Sequence, residues 1–345
     1  MMEIYYYDKG LKKGLEKDLK RLKNKPLWID IINMTHTDVD LIGDIFDLHP
    51  LTKEDLFGQN SRIKVEEFQK YLYCVFYGIK DNSKGFELIE LDFVLGDNFI
   101  ISNHTKDLGS DSELKKDTKR LEALFKKGPE FIMHRLLDKE IDNFFPNLEK
   151  LDDELEAIEE EVIKHPKAAQ LAKIRNMKRK IVRVKRHVFQ QREKISYIAK
   201  NEYSFIHKKA RIYFRDIYDN SIRVSDTIDN YRENISETFD AYMSSVNNNT
   251  NEVMKVLSIF AVIALPMTVI SGIYGTNFIN LPGSKGYYGF WVMIAVMVIF
   301  SLTMIHFFRK RGWFKLSYYP TKHYTKPCTT INILELFIAQ SLSLS

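Results

Sequence analysis

Residues 251–277 read NEVMKVLSIFAVIALPMTVISGIYGTN and contain no Asp, Glu, Lys or Arg after Lys255. A second uncharged stretch runs from Gly286 to Phe308. At about 1.5 Å per residue, each stretch is long enough to cross the roughly 30 Å hydrocarbon core of a bilayer as a helix. Charged side chains are closely spaced in the rest of the 345 residues. Two such stretches joined by a short loop predict a membrane protein with two helical spans.

The basic residues that flank these stretches predict their orientation. Residues 309–311 are all basic and follow the second span, Lys255 precedes the first, and Lys285 is the only charged residue between them. The positive-inside rule therefore predicts a multi-pass protein of the cell membrane with both termini in the cytoplasm. Residues 1–10 lack the apolar core of a signal peptide, so none is expected.

The segment before the spans favours a long helix. No Gly or Pro occurs between Pro166 and Pro266, which permits a continuous helix of roughly 100 Å from about Tyr203 to Gly272. Apolar and small residues recur in alternating steps of four and three from Ala210 to Tyr242. We interpret this heptad seam as a contact between subunits of an oligomer.

The first 140 residues have a different pattern. Apolar β-rich runs at 3–7, 27–33, 71–79, 87–95 and 98–102 alternate with helical patterns, which is typical of a soluble α/β domain. The fold class is therefore an α+β membrane protein. Its predicted parts are a cytoplasmic α/β domain at 1–140, a hairpin of an acidic and a basic helix at 141–202, a stalk helix at 203–255, a first span at 256–277, an external loop at 278–286, a second span at 287–308, and a basic cytoplasmic end with a tail of unassigned origin at 309–345.

Several function classes are excluded by what the sequence lacks. The two cysteines, Cys74 and Cys328, are too few for a disulfide framework or a four-thiolate zinc site. There is no phosphate-binding glycine loop, nucleophile elbow or paired-His helix, so we do not expect an enzyme. A net charge of +5 is mild, and the basic helix lacks interleaved aromatic residues, so nucleic acid is not an expected partner.

One face of the first span carries a mixture of polar, small and apolar residues. With a 3.5-residue period this face comprises Asn251, Met254, Ser258 beside Leu257, Ala261, Leu265, Thr268 and Gly272, and Tyr274, Gly275, Thr276 and Asn277 follow at its end. At an oligomer axis such a face offers neutral oxygens and narrow apolar rings, which suit a cation that keeps much of its water. Close helix packing through small residues is the alternative interpretation.

Three motifs resemble the CorA-type magnesium transporters. They are NEVMKVL at 251–257 with Pro266 and the YGxNF run at 274–278, DLHPLTKED at 47–55, and YFRDIYD at 213–219. The resemblance extends in order over residues 1 to about 314. It implies a homopentamer with a funnel of cytoplasmic α/β domains, a coiled stalk helix continuous with a pore-lining first span, and an outer second span in contact with membrane lipid.

The resemblance also assigns site residues. The family's Gly-Met-Asn signature stands here as Gly275-Thr276-Asn277, in which the Asn277 amides form a carbonyl ring that meets hydrated Mg²⁺. Residue Thr276 replaces the usual Met, and Lys285 stands in a loop that is usually acidic. Regulatory Mg²⁺ is expected between subunits at Asp81 and Asp216.

The leading hypothesis is thus channel-like uptake of Mg²⁺, and also of cobalt and nickel, driven by the membrane potential. A doubly charged ion gains roughly 4.6 kcal/mol per 100 mV on moving inward, so no ATP site is needed. Two alternatives stay open: a zinc transporter of the ZntB type, and a membrane-anchored divalent sensor or scaffold that does not conduct.

Overall fold

The structure is a computed structural model, and it describes residues 1–58, 61–82, 85–164, 166–277, 281–283 and 286–313. The chain divides into two units, 1–242 and 243–345. Residue Lys285 and the tail after Trp313, both singled out from the sequence, lie outside the described residues.

Seven strands of the described residues form one mixed sheet in the first unit, in the order β2-β1-β3-β7-β6-β5-β4. Only the β3–β7 pair is parallel. The strands are β1 Met2–Tyr7, β2 Leu11–Gly14, β3 Leu27–Ile32, β4 Lys64–Glu67, β5 Leu72–Asn82, β6 Gly85–Leu95 and β7 Phe99–His104. Apolar runs predicted five of them, whereas β2 and β4 were missed because these edge strands are short and largely polar.

Ten α-helices complete the described residues, with a 3₁₀ turn at Glu16–Asp18. They are α1 Leu19–Leu22, α2 His36–Phe46, α3 Pro50–Phe57, α4 Ser110–Lys116, α5 Thr118–Phe125, α6 Pro129–Asp142, α7 Phe144–Lys164, α8 Ala168–Lys200, α9 Lys208–Tyr274 and α10 Gly289–Lys310. Local chemistry sets several ends. Thr35 caps α2 in a capping box with Asp38, and proline begins α3 and α6.

The core of the first unit lies around the central strands. Trp28, Tyr73, Phe76 and Phe93 are fully buried, and every residue of β7 is buried. Helix α6 packs against β5, β6 and β7, while α7 and α8 also contact β5. The sheet is therefore held by helices contributed from the chain that follows it.

The heptad seam of α9 is buried within the single chain over residues 208–242, so interpreting it as a contact between subunits was wrong. Phe214, Ile217, Ser221, Val224 and Ile228 are all fully buried. Arg223 lies over the ring of Phe145 in α7, and Lys185 and Arg192 of α8 bond to Asp229 and Ser225 of α9. The helical periodicity identified the buried face, but its partners are α7 and α8.

A turn between α8 and α9 delays the start of the long helix, which was expected near Tyr203, to Lys208. The α8 helix ends at Lys200, the next residue Asn201 is extended, and α9 begins at Lys208. Phe205 and Ile206 of this turn are buried, and Ser204 N donates to the Glu67 carboxylate over 2.7 Å. Burial of two apolar side chains and this bond hold a turn that contains neither Gly nor Pro.

A buried ionic cluster ties α4 to the sheet. Lys115 Nζ lies 2.6 Å from Asp30 Oδ2, 3.0 Å from Asp111 Oδ2 and 2.7 Å from Glu3 Oε2. His104 Nε2 lies 3.2 Å from Asp30 Oδ1. Burial alone would raise the pKa of Asp30, but His104 and Lys115 outweigh it and lower that pKa. Ion pairing also outweighs burial at Lys115 and raises its pKa.

We predict that Lys115→Met destabilises the protein by about 3–5 kcal/mol at neutral pH, because it leaves buried carboxylates without their cation. This loss of stability should become smaller as pH falls, because the unpaired carboxylates then bind protons. Thermal unfolding of the purified protein in detergent measures it. Lys116→Met, on the exposed side of the same helix, is the matched control, and equal destabilisation by both variants would contradict the assignment.

Candidate ion pathway and cation sites

Helix α10 covers one face of α9 in the second unit. Ser301 Oγ of α10 lies 3.8 Å from Met267 Sδ of α9. On the same face of α9, Ile259 is buried and Ile263 and Ile270 are half-buried. Both helices are long and apolar enough to cross a membrane. This pairing leaves the opposite face of α9 uncovered.

The uncovered face is the one that the sequence predicts to line a pore. Successive residues of a helix are rotated by 100°, which places Ala261 and Thr268 about half a turn away from Ile259 and Ile270. Leu257 and Leu265 are each 68% exposed. The predicted residues are all exposed: Asn251, Met254, Leu257, Ala261, Leu265, Thr268, Tyr274, Gly275, Thr276 and Asn277.

The hydroxyl groups on this face donate inward to their own helix. Ser258 Oγ donates to the Met254 carbonyl over 2.8 Å, and Thr268 Oγ1 donates to the Ala264 carbonyl over 3.0 Å. Each bond uses the hydroxyl proton and leaves both lone pairs of the oxygen free to accept. These oxygens can therefore face a cation or its water without leaving a donor unpaired.

The end of α9 presents the signature residues. Tyr274 Oη donates to the Pro282 carbonyl over 3.0 Å, which joins the helix end to the following loop. Thr276 Oγ1 donates to the Ile273 carbonyl over 2.7 Å, so its hydroxyl is used within the chain. A Cβ on Gly275 would lie 3.2 Å from the Ser271 carbonyl oxygen, which is a tight approach. The Asn277 side chain is exposed beside them.

The two predicted regulatory carboxylates, Asp81 and Asp216, have different surroundings in the first unit. Asp81, near the end of β5, forms an ion pair with Lys150 of α7. Asp216 is exposed on α9. Carboxylates suit Mg²⁺, but Lys150 competes with any cation for Asp81. The structure does not bring the two residues together within the described part of one chain.

Two further carboxylates, which the sequence analysis missed, belong to the surroundings of Asp216. Burial raises the pKa of Asp138, and the Asp216 carboxylate raises it further against the opposing effect of Arg135. Burial, followed by the Asp138 carboxylate, also raises the pKa of Asp142. Their i, i+4 spacing on α6 was a usable signal, since it places both on one helix face. Three negative groups thus repel one another where α6 meets α9.

The described residues also contain one buried cluster with metal-like ligands, formed by Asp30, His104 and Asp111. Its ligand atoms lie within 4.8 Å of one another. However, the Lys115 ammonium group contacts both carboxylates at 2.6 and 3.0 Å. Lys115 therefore supplies the positive charge that a metal ion would bring, and the cluster does not fit a metal site.

The comparisons with known proteins agree with this arrangement. Residues 23–310 match the family described as CorA-like Mg²⁺ transporter protein. A cobalt/magnesium transport protein CorA of Thermotoga maritima is 34% identical over 298 residues, which cover 85% of each chain. The chain belongs to the CorA-like Mg²⁺ transporter family. It is therefore a membrane transporter of divalent cations and not an enzyme.

Solved structures extend the likeness to the fold. The complete CorA magnesium transporter structure from Methanocaldococcus jannaschii has a TM-score of 0.81 at 21% identity and covers 91% of this chain and 98% of its own. The ZntB cytoplasmic domain from Vibrio parahaemolyticus has a TM-score of 0.57 at 12% identity, covering 71% and 97%. The predicted α/β domain, long helix and two spans are thereby confirmed, and the division into seven parts stays a prediction.

Proposed function

We propose that this CorA-family chain forms a channel-like pathway for Mg²⁺ uptake across the cell membrane. The observation that supports this proposal is the uncharged face of α9, which α10 leaves exposed and which ends at the Asn277 amide. Cobalt and nickel are further expected cargo, and the cobalt/magnesium transport protein of Thermotoga maritima supports the first of them. The membrane potential supplies the driving force, at roughly 4.6 kcal/mol per 100 mV for a doubly charged ion.

A ring of identical subunits explains how this face works. Leu257 and Leu265 are more than two-thirds exposed in one chain, and facing copies around an axis would form narrow apolar rings. Such rings close a pore by excluding water, and they open when the helices separate. Beyond Leu265, toward the end of α9, the Thr268 hydroxyls and Asn277 carbonyls supply neutral oxygens that contact the hydration shell of Mg²⁺ without trapping the ion. We assign a homopentamer with a funnel of cytoplasmic domains, both termini in the cytoplasm and lipid around α10.

Regulation is assigned to the carboxylates of the first unit. Asp216 lies near Asp138 and Asp142, and their mutual repulsion favours a bound cation. Asp81 of a neighbouring subunit would complete such a site after leaving Lys150. Occupied sites hold the subunits in the closed arrangement, and loss of Mg²⁺ from the cytoplasm releases them. Uptake would then stop when internal Mg²⁺ is sufficient.

We predict that Asn277→Leu lowers Mg²⁺ influx into proteoliposomes at least about tenfold. Losing one charge-assisted hydrogen bond of about 1.5 kcal/mol or more at the pore entrance raises the barrier by that factor. Thr303→Val on α10, which removes an exposed hydroxyl away from the proposed pathway, is the control and should conduct normally. Unchanged influx through Asn277→Leu would remove Asn277 from the pathway.

If Asp81 and Asp216 bind regulatory Mg²⁺, substitutions there and at Lys150 should change the inhibition of influx by internal Mg²⁺ in opposite directions. Asp216→Asn and Asp81→Asn should keep Mg²⁺ influx high when the liposome interior contains Mg²⁺, because a site loses a ligand. Lys150→Met should move inhibition to lower internal Mg²⁺, because Asp81 is freed from its competing cation. Influx measured against internal Mg²⁺ tests both. Asp226→Asn, exposed on the same helix, is the control, and inhibition that all four variants leave unchanged would contradict this assignment.

The two alternatives rest on narrower grounds. A ZntB-like zinc carrier is supported by the shared fold of the cytoplasmic domain, but identity to that structure is only 12%. A non-conducting sensor or scaffold is kept open by Thr276, which stands where the family's Gly-Met-Asn signature has Met. Neither accounts as well for the exposed face of α9.

A further inference from the structure

A small cavity lies in the first unit, where β3 and β7 reach their carboxyl ends. Its polar lining consists of Asn33, Glu90, Asp92, Asn103 and Thr105, and the end of α3 completes the lining. The cavity offers about 20 Å³ to a water-sized sphere, somewhat more than the ~10–15 Å³ that holds one water. Its contents are therefore limited to one small ligand.

Two buried carboxylates share this cavity and have only neutral partners. Glu90 and Asp92 are 6% and 2% exposed and lie two residues apart on one face of β6. Glu90 Oε2 accepts from Ser61 N over 3.0 Å and from Tyr77 Oη over 3.2 Å. Asp92 accepts from Tyr73 Oη over 3.3 Å and from Asn103 Nδ2 over 2.8 Å.

No cationic side chain of the described residues compensates these two charges. No Lys, Arg or His in that part of the chain lies within 4.0 Å of either carboxylate. The Asp30 cluster is the useful contrast, since Lys115 contacts its carboxylates directly. Buried carboxylates require a positive partner or a proton.

Two oxygens of the cavity residues are buried without any hydrogen-bond partner, namely Glu90 Oε1 and Asn103 Oδ1. The Asn103 amide is fixed in orientation, because its Nδ2 donates both to Asp92 and to the Leu56 carbonyl. The free atom of that amide is therefore an acceptor, as is the free Glu90 oxygen. Both atoms without a partner are therefore oxygen acceptors, and neither side chain has a free donor there. Oxygen acceptors of this kind can bind a cation.

We propose that this cavity binds one divalent cation, held by the carboxylates of Glu90 and Asp92 and by the amide oxygen of Asn103. Oxygen ligands select hard cations, and two carboxylates balance two positive charges. The small volume requires an ion that sheds most of its water, which favours Mn²⁺ or Ca²⁺ over Mg²⁺, because Mg²⁺ gives up its water reluctantly. The site is separate from the α9 pathway and from Asp81 and Asp216. It links the stability of the first unit to divalent cations in solution.

Binding of Mn²⁺ to the full-length protein in detergent tests this proposal. An Asp81→Asn/Asp216→Asn background removes the regulatory site proposed above, and bound Mn²⁺ per chain is counted by electron paramagnetic resonance. Adding Glu90→Gln or Asp92→Asn, both close in shape to the native residue, should lower the count by one. Glu140→Gln is the matched control, since Glu140 is fully buried but does not line the cavity.

The same samples give a second measurement. Mn²⁺ should raise the melting temperature of the background and of the Glu140→Gln protein, but not that of the cavity variants. An anomalous-difference map of Mn²⁺-soaked crystals of the unmodified protein should show a peak in the cavity and needs no variant. Equal Mn²⁺ counts in all proteins, equal loss in Glu140→Gln, or a map without that peak would overturn the proposal. Flux measurements do not enter this test, so it can fail while the proposed transport stands.

Discussion

The hydrocarbon core of a membrane accepts neither charge nor unsatisfied backbone, and the second unit of this protein is built on that constraint. The α9 helix satisfies its backbone internally, and its Ser258 and Thr268 hydroxyls donate to carbonyls four residues earlier. What α9 then presents on the face opposite α10 is uncharged oxygen and apolar surface. A face of this kind lowers the barrier for a hydrated cation without binding the ion tightly, which is the property that transport requires.

Charge is instead concentrated in the first unit, where water and ion pairs can compensate it. Lys115 neutralises Asp30 and Asp111 inside the domain, and Lys150 pairs with Asp81 at the surface. Asp138 pairs with Arg135 of its own helix, whereas Glu90 and Asp92 have only neutral partners among the described residues. Buried carboxylates without a cationic partner are the positions at which a bound divalent cation would change the stability of the protein, as proposed above for Glu90 and Asp92.

The sequence predicted the parts of the fold that depend on local pattern. Both spans follow from uncharged length, and five strands follow from apolar runs. The polar edge strands β2 and β4 and the turn at 201–207 were missed, because they depend on pairing with β1 and β5 and on burial of Phe205 and Ile206. Periodicity correctly identified the buried face of α9 before Tyr242 but not its partners in α7 and α8. The Asp30–Lys115 cluster joins residues from distant parts of the chain, and the grouping of Glu90 with Asn103 depends on the pairing of β6 with β7, so spacing alone could not reveal either.

If the cation moves along the face of α9 that α10 leaves exposed, as proposed above, single cysteines on that face will lie in its path. In a Cys74→Ala/Cys328→Ser background, Ala261→Cys and Thr268→Cys would be placed on that face, and Ile263→Cys and Ile270→Cys on the face toward α10. Mg²⁺ influx into proteoliposomes under an inside-negative potential is then measured before and after a charged, water-soluble thiol reagent. We expect the reagent to block influx through the Ala261→Cys and Thr268→Cys proteins and to leave influx through the Ile263→Cys and Ile270→Cys proteins unchanged. Equal block of both pairs, or block of the second pair alone, would contradict the proposed pathway.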